Sequence, residues 1–105
     1  MQVDEFSKRR ADFNLLDVRE DDEWKAGHID GAQHIPLAEL SARLAELPKE
    51  KTIVAVCRSG GRSEAAVRGL RRLGYEAENL EGGVNAWDGA KLPLVDTAGG
   101  RGRVI

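Results

Sequence analysis

The chain has 105 residues, with 16 basic and 18 acidic side chains and a formal net charge of −2. That size suits one domain over residues 1–105 with one modest core, and charge so evenly spread offers no basic face for nucleic acid or a membrane surface. No stretch approaches roughly 20 consecutive apolar residues, and Met1-Gln2-Val3-Asp4-Glu5 is not a basic segment followed by an apolar run, so a soluble cytoplasmic protein is expected.

In chain order, short apolar runs alternate with segments of helical period, the pattern of parallel strands joined by crossover helices. Strands are predicted over Asn14 to Val18, Gln33 to Ile35, Thr52 to Val56 and Ala77 to Leu80. Thr52-Ile53-Val54-Ala55-Val56 lacks polar alternation and is rich in β-branched residues, so it belongs at the middle of the sheet, buried on both faces. Helices then cover both faces. One is expected where Leu37, Leu40, Leu44 and Leu47 recur between Pro36 and Pro48, its apolar stripe facing the core. Another runs from Ser63 to Leu73, with Ser63 as its cap, Ala66, Leu70 and Leu73 on one face, and Gly74 in the left-handed position after the end. Residues 99–105, rich in glycine and arginine, read as a loosely held tail.

The predicted central strand ends at Cys57, the only cysteine, which cannot form an intrachain disulfide and fits a reducing compartment. Cys57-Arg58-Ser59-Gly60-Gly61-Arg62-Ser63 then lies at the carboxyl edge of a parallel sheet, where open α/β folds place ligands. Gly60 and Gly61 let successive N–H groups turn inward, and the following helix adds the positive end of its dipole. Such a cradle, flanked by Arg58 and Arg62, favours thiolate over thiol and makes Cys57 the candidate nucleophile. Arg62 is assigned an anion-binding or loop-ordering role, Arg58 a rim charge facing substrate, and Ser63 a second role as hydrogen-bond donor to the sulfur. A buried, inert cysteine is the commoner fate of the residue, but not in front of two glycines, two arginines and a helix start.

At these residues the chain resembles the rhodanese family. Asp17-Val18-Arg19-Glu20 and Gly27-His28-Ile29-Asp30-Gly31-Ala32, with Ile35-Pro36, look like the family's first signature, and Glu81-Gly82-Gly83-Val84 with Ala86-Trp87 looks like its last. The resemblance implies a rhodanese-like α/β fold, a five-stranded parallel sheet flanked by helices, with Met1 to Phe13 supplying the first strand and helix. It also implies a catalytic cysteine at Cys57, a substrate loop from Arg58 through Arg62, and no cofactor. The expected activity is sulfur transfer from a small anionic donor such as thiosulfate, through a Cys57 persulfide, to a nucleophilic acceptor that could be a protein.

Outside the loop, Asp17 and Arg19 are expected to pair locally, His28 to hydrogen-bond structurally, Trp24 and Trp87 to pack, and Gly82 and Gly83 to turn the chain close to the active loop. His28, His34 and Cys57 lack metal-ligand spacing, so no metal is expected. Two rivals remain. A phosphatase or arsenate reductase could use the same scaffold, although four residues separate Cys57 from Arg62 where the related phosphatases carry five. The other rival is a non-catalytic binding or sulfur-carrier module.

Overall fold

The computed structural model describes all residues, 1–105. Four parallel strands form one sheet: β1 (Phe13–Asp17), β2 (Gln33–His34), β3 (Thr52–Val56) and β4 (Ala77–Asn79), in the order β2-β1-β3-β4. β3 is central, as its apolar run predicts, and successive side chains point to opposite faces. Ile53, Ala55 and Cys57 enter one apolar cluster with Ala66, Val67 and Leu70 of α3 (Gly61–Arg72). Val54 and Val56 enter the other, with Val3 and Phe6 of α1 (Val3–Lys8) and Val84 and Trp87 of α4 (Gly83–Gly89). The remaining helix, α2 (Asp21–Ala26), buries no residue and stands beside the carboxyl edge of the sheet.

The sheet has four strands rather than the expected five. Met1 to Asp12 supply α1 and a short 3₁₀ turn, Arg10–Asp12, but no strand. On the outer edge of β4, Met1 donates its amine to the Asn79 carbonyl at 2.7 Å and accepts the Glu81 N–H at 2.9 Å. One residue thus occupies the edge that a fifth strand would cover, and α1 begins two residues later.

Three further expectations are corrected. The leucine stripe is not one α-helix but two 3₁₀ segments, Leu37–Ala42 and Leu44–Glu46. In a 3₁₀ helix side chains three apart eclipse one another, and the leucines come as two such pairs, 37/40 and 44/47, with a break between them. Leu40 and Leu47 are buried, and Leu37 and Leu44 pack against the same cluster, so the stripe faces the core in a tighter winding. Second, α3 starts at Gly61, not Ser63; Gly60, at φ +120°, takes the cap position and Ser63 lies inside the first turn. At its other end Gly74 is left-handed, and the Tyr75 and Gly74 N–H groups bond the Leu70 and Arg71 carbonyls, closing the helix as predicted.

Third, the tail is not loose. Gly102 and Arg103 donate N–H groups to the Leu94 and Ala26 carbonyls at 2.9 Å each, and Arg101 bridges to Val95. Gly102 has no room for a side chain there, because an added Cβ would lie 2.9 Å from the backbone carbonyl of Val95. No helix is long and apolar enough to cross a membrane.

Candidate functional site

β3 delivers Cys57 to the carboxyl edge of the sheet, and the chain turns at once into α3. Two backbone N–H groups near the start of α4, those of Val84 and Asn85, hold the carbonyls of Cys57 and Arg58 at 2.9 and 3.0 Å. That approach requires glycine at position 83: its φ is +61°, and a Cβ there would come within 2.6 Å of the Arg58 carbonyl. The expectation that Gly82 and Gly83 bring the chain against the active loop is met in this way.

The Cys57 sulfur is buried, its residue 1% exposed. It accepts the Gly60 N–H at 3.1 Å and lies 3.2 Å from the Ser63 hydroxyl. Burial is the largest single influence on the thiol and opposes ionisation. Hydrogen bonds from the Ser63 hydroxyl and from the N–H groups of Ser63, Gly60 and Ser59 together outweigh it, so its pKa lies below the usual thiol value. Ser59 and Gly61 are exposed and form the outer wall of the loop.

The two arginines of the loop have different partners. Arg62 makes a two-pronged ion pair with Glu23 of α2, at 2.7 and 2.9 Å. Its guanidinium thereby ties the loop to α2. Arg58 is exposed, and its Nε donates to the Ile105 backbone oxygen at 2.9 Å.

The Arg62 hydrogen bonds hold the Glu23 carboxyl down at about 2, against the opposing effect of burial, with help from the Glu20 N–H and the charges of Arg62 and Arg19. A carboxyl with a depressed folded-state pKa adds stability above its unfolded value, and that stability is lost as pH falls through the folded one. Wild type should therefore exceed Glu23→Gln in urea resistance at pH 6, with the gap closing as pH falls from about 4.5 to about 2. A gap of the same size at pH 6 and at pH 2 would mean that the charge pair contributes nothing.

The other signature residues frame the site. Arg19 is completely buried, pairs with Asp17 through Nη2 and Nε at 2.8–3.1 Å, and donates to the Gly27 and Glu23 carbonyls at 2.8 and 3.4 Å, so it fixes the α2 segment that carries Glu23. His28 and His34 donate to the Trp24 and Arg19 carbonyls at 2.8 and 2.7 Å. Both rings stack on Trp24, at 3.6 and 4.6 Å. Trp87 is buried and donates to the Pro93 carbonyl at 2.8 Å. No His, Cys, Asp and Glu side chains cluster as a metal site would require.

Two site residues escape the sequence reading, Glu23 and Asn79. Asn79, at the end of β4, places its Oδ1 2.6 Å from the Ser63 hydroxyl and its Nδ2 3.2 Å from the Gly60 carbonyl. The signal for it was positional: β4 pairs with β3, so a polar residue closing β4 sits beside the loop that leaves β3.

A parallel α/β domain with a cysteine in a backbone cradle at its carboxyl edge defines the class, and the comparisons agree with it. The chain belongs to the rhodanese-like domain family, whose model matches residues 2–90. It is 38% identical over 97 residues to a sulfurtransferase of Allochromatium vinosum, covering 89% of this chain and 91% of that protein. It is also 44% identical over 98 residues to the HTH-type transcriptional regulator Rv0324 of Mycobacterium tuberculosis, covering 90% of this chain but only 43% of the regulator. The crystal structure of a rhodanese-related protein from Thermoplasma volcanium superposes with a TM-score of 0.87 at 32% identity, covering 90% of this chain and 95% of that one.

Proposed function

We propose that residues 1–105 act as one sulfurtransferase domain, which takes sulfane sulfur from a small anionic donor such as thiosulfate onto Cys57 and passes it to a nucleophilic acceptor. The observation that carries this reading is the Cys57 sulfur held by the Gly60 N–H, its ionisation favoured by the surrounding donors. The Cys57 thiolate attacks the outer sulfur of thiosulfate; a new S–S bond forms, the old one breaks, and sulfite leaves with the electron pair. The N–H groups of Ser59, Gly60 and Ser63 stabilise the persulfide anion as they do the thiolate. An acceptor then attacks the outer sulfur and Cys57 departs as thiolate, so neither half-reaction needs a general base. Arg58, the exposed arginine of the loop, is assigned the rim charge that attracts an incoming anion. The cytoplasm, with its reduced thiols, suits such a cysteine.

The sulfurtransferase relative supports catalysis, whereas the regulator relative favours a second reading, in which the domain is a binding or sulfur-carrier module within a larger protein. Retention of Cys57 and its donors argues against an inert module. The phosphatase reading is weaker on two counts. Only four residues span Cys57 to Arg62, and the Arg62 fork that a phosphoryl group would need is bound to Glu23. A phosphoryl group presents three equatorial oxygens to its site, and misplacing their donors by about 1 Å costs on the order of 10²-fold.

The test is a paired assay. The protein should turn over thiosulfate with cyanide as acceptor, and hydrolyse p-nitrophenyl phosphate on the order of 10²-fold more slowly or not at all. If it instead hydrolyses the aryl phosphate as fast as it consumes thiosulfate, and Cys57→Ser loses both activities, the phosphatase reading takes over.

A further inference from the structure

The Ser63 hydroxyl has one proton and three acceptors around it: the Asn79 Oδ1 at 2.6 Å, the Cys57 sulfur at 3.2 Å and the Gly60 carbonyl at 3.3 Å. Ser63 is completely buried, so water cannot make up the difference. The orientation of the Asn79 amide decides the contest. Because the Gly60 carbonyl can only accept, the amide NH₂ must face it, as it does at 3.2 Å, and this turns Oδ1 towards Ser63. Oδ1 can only accept in its turn, so it competes with the sulfur for the proton, along the shortest of the three contacts. The pull of Oδ1 weakens the hydrogen bond from the hydroxyl to the sulfur, and with it the help that Ser63 gives a thiolate.

We propose that Asn79 is a positioning residue that acts through Ser63: by competing for the hydroxyl proton along the shorter contact it weakens the hydrogen bond that Ser63 gives the Cys57 sulfur. The sulfur is thereby kept less stabilised, and more reactive, than the cradle alone would make it. When a negative sulfur does form, the proton is the one mobile element of the site, able to swing from Oδ1 to the sulfur by rotation about a single bond. The inference deepens the sulfur-carrier reading, because it concerns the same atom. Its test, however, reads thiol ionisation and not sulfur transfer, so the two can fail separately.

The charged groups around the sulfur are Arg62 on α3, with Glu23 of α2 on its fork, and Arg58 in the loop, while Asp17 and Arg19 beyond β1 form a closed buried pair. Substitutions at 63 and 79 leave all of these in place, so an effect can be read against a constant field.

The experiment follows the rate of Cys57 alkylation by iodoacetamide against pH in wild type, Ser63→Ala, Asn79→Leu and the double variant, each checked for folding by circular dichroism. Asn79→Leu fills the space of the amide and frees the hydroxyl to donate to the sulfur, so the thiol midpoint should fall by about one pH unit. In the Ser63→Ala background the same substitution should move nothing. Ser63→Ala alone should raise the midpoint by well under one unit, because the lost proton was shared with Asn79. A rise of a full unit or more in that single variant overturns the proposal even where the Asn79 variants do not fold. So does an unmoved or raised midpoint in Asn79→Leu, or a shift of equal size with and without Ser63.

Discussion

Cys57→Ser should bring sulfur transfer down to the uncatalysed background, a loss on the order of 10³-fold or more, with the fold intact by circular dichroism. Serine preserves the size of the side chain and its hydrogen bonds with Gly60 and Ser63, but an alcohol in this cradle does not ionise near neutrality. As the chain has no other cysteine, no second thiol can rescue the reaction. The pH profile of the wild type carries the same information. Because the hydrogen-bonded sulfur ionises below the usual thiol range, the rate of sulfur loading should rise through a midpoint below the ordinary thiol value and level off above it. A midpoint at or above that value would mean that burial outweighs the donors, and that the cradle does not activate Cys57.

Arg19→Ala should destabilise the protein by about 3–5 kcal/mol, the cost of leaving a buried charge without its partner. Arg19 is 0% and Asp17 1% exposed, so removal of the guanidinium strands the carboxylate away from water. It also frees two carbonyls, of Glu23 and Gly27, that Arg19 holds. Against a total stability of about 5–15 kcal/mol for an ordinary domain, the loss is large. It would appear in urea unfolding as a lower midpoint with little change in slope. Replacing the pair together, Asp17→Asn with Arg19→Met, should recover part of it, since two apolar or neutral groups cost less than one orphaned ion. A loss below about 1 kcal/mol in Arg19→Ala would show that the pair adds little to stability. Under conditions where Arg19→Ala is still folded, Arg62→Ala should reduce sulfur transfer more than Arg19→Ala does, because Arg62 belongs to the loop around the sulfur and Arg19 to the buried pair with Asp17.

The geometry of the candidate loop was legible because it is local. Strand, cysteine, glycines and helix follow one another within seven residues of the end of β3, and backbone rules alone place the N–H groups around the sulfur. The partners that complete the site were not legible for the opposite reason. Glu23 reaches Arg62 across 39 positions and Asn79 reaches Ser63 across 16, and nothing in the local sequence announces either pairing. Ser63 shows how one residue supports two readings: a serine near a helix start suggests a cap, but Gly60 takes the cap, and the buried hydroxyl is left for the sulfur and Asn79. The leucine stripe marked burial correctly, while its spacing could not separate an α-helix from two 3₁₀ segments. The tail was misread because glycine and arginine suggest looseness, whereas its order comes from carbonyls at positions 26 and 94. The missing strand has a similar cause, since one residue, Met1, takes the outer edge of β4.

The central claim is that Cys57 carries sulfur, and intact-mass spectrometry tests it most directly. Reduced protein incubated with thiosulfate and freed of excess donor should gain the mass of one sulfur atom, lose it on addition of cyanide, and gain nothing when Cys57 is serine. Protein that stays unmodified, or a Cys57→Ser variant that gains the same sulfur, would contradict the account.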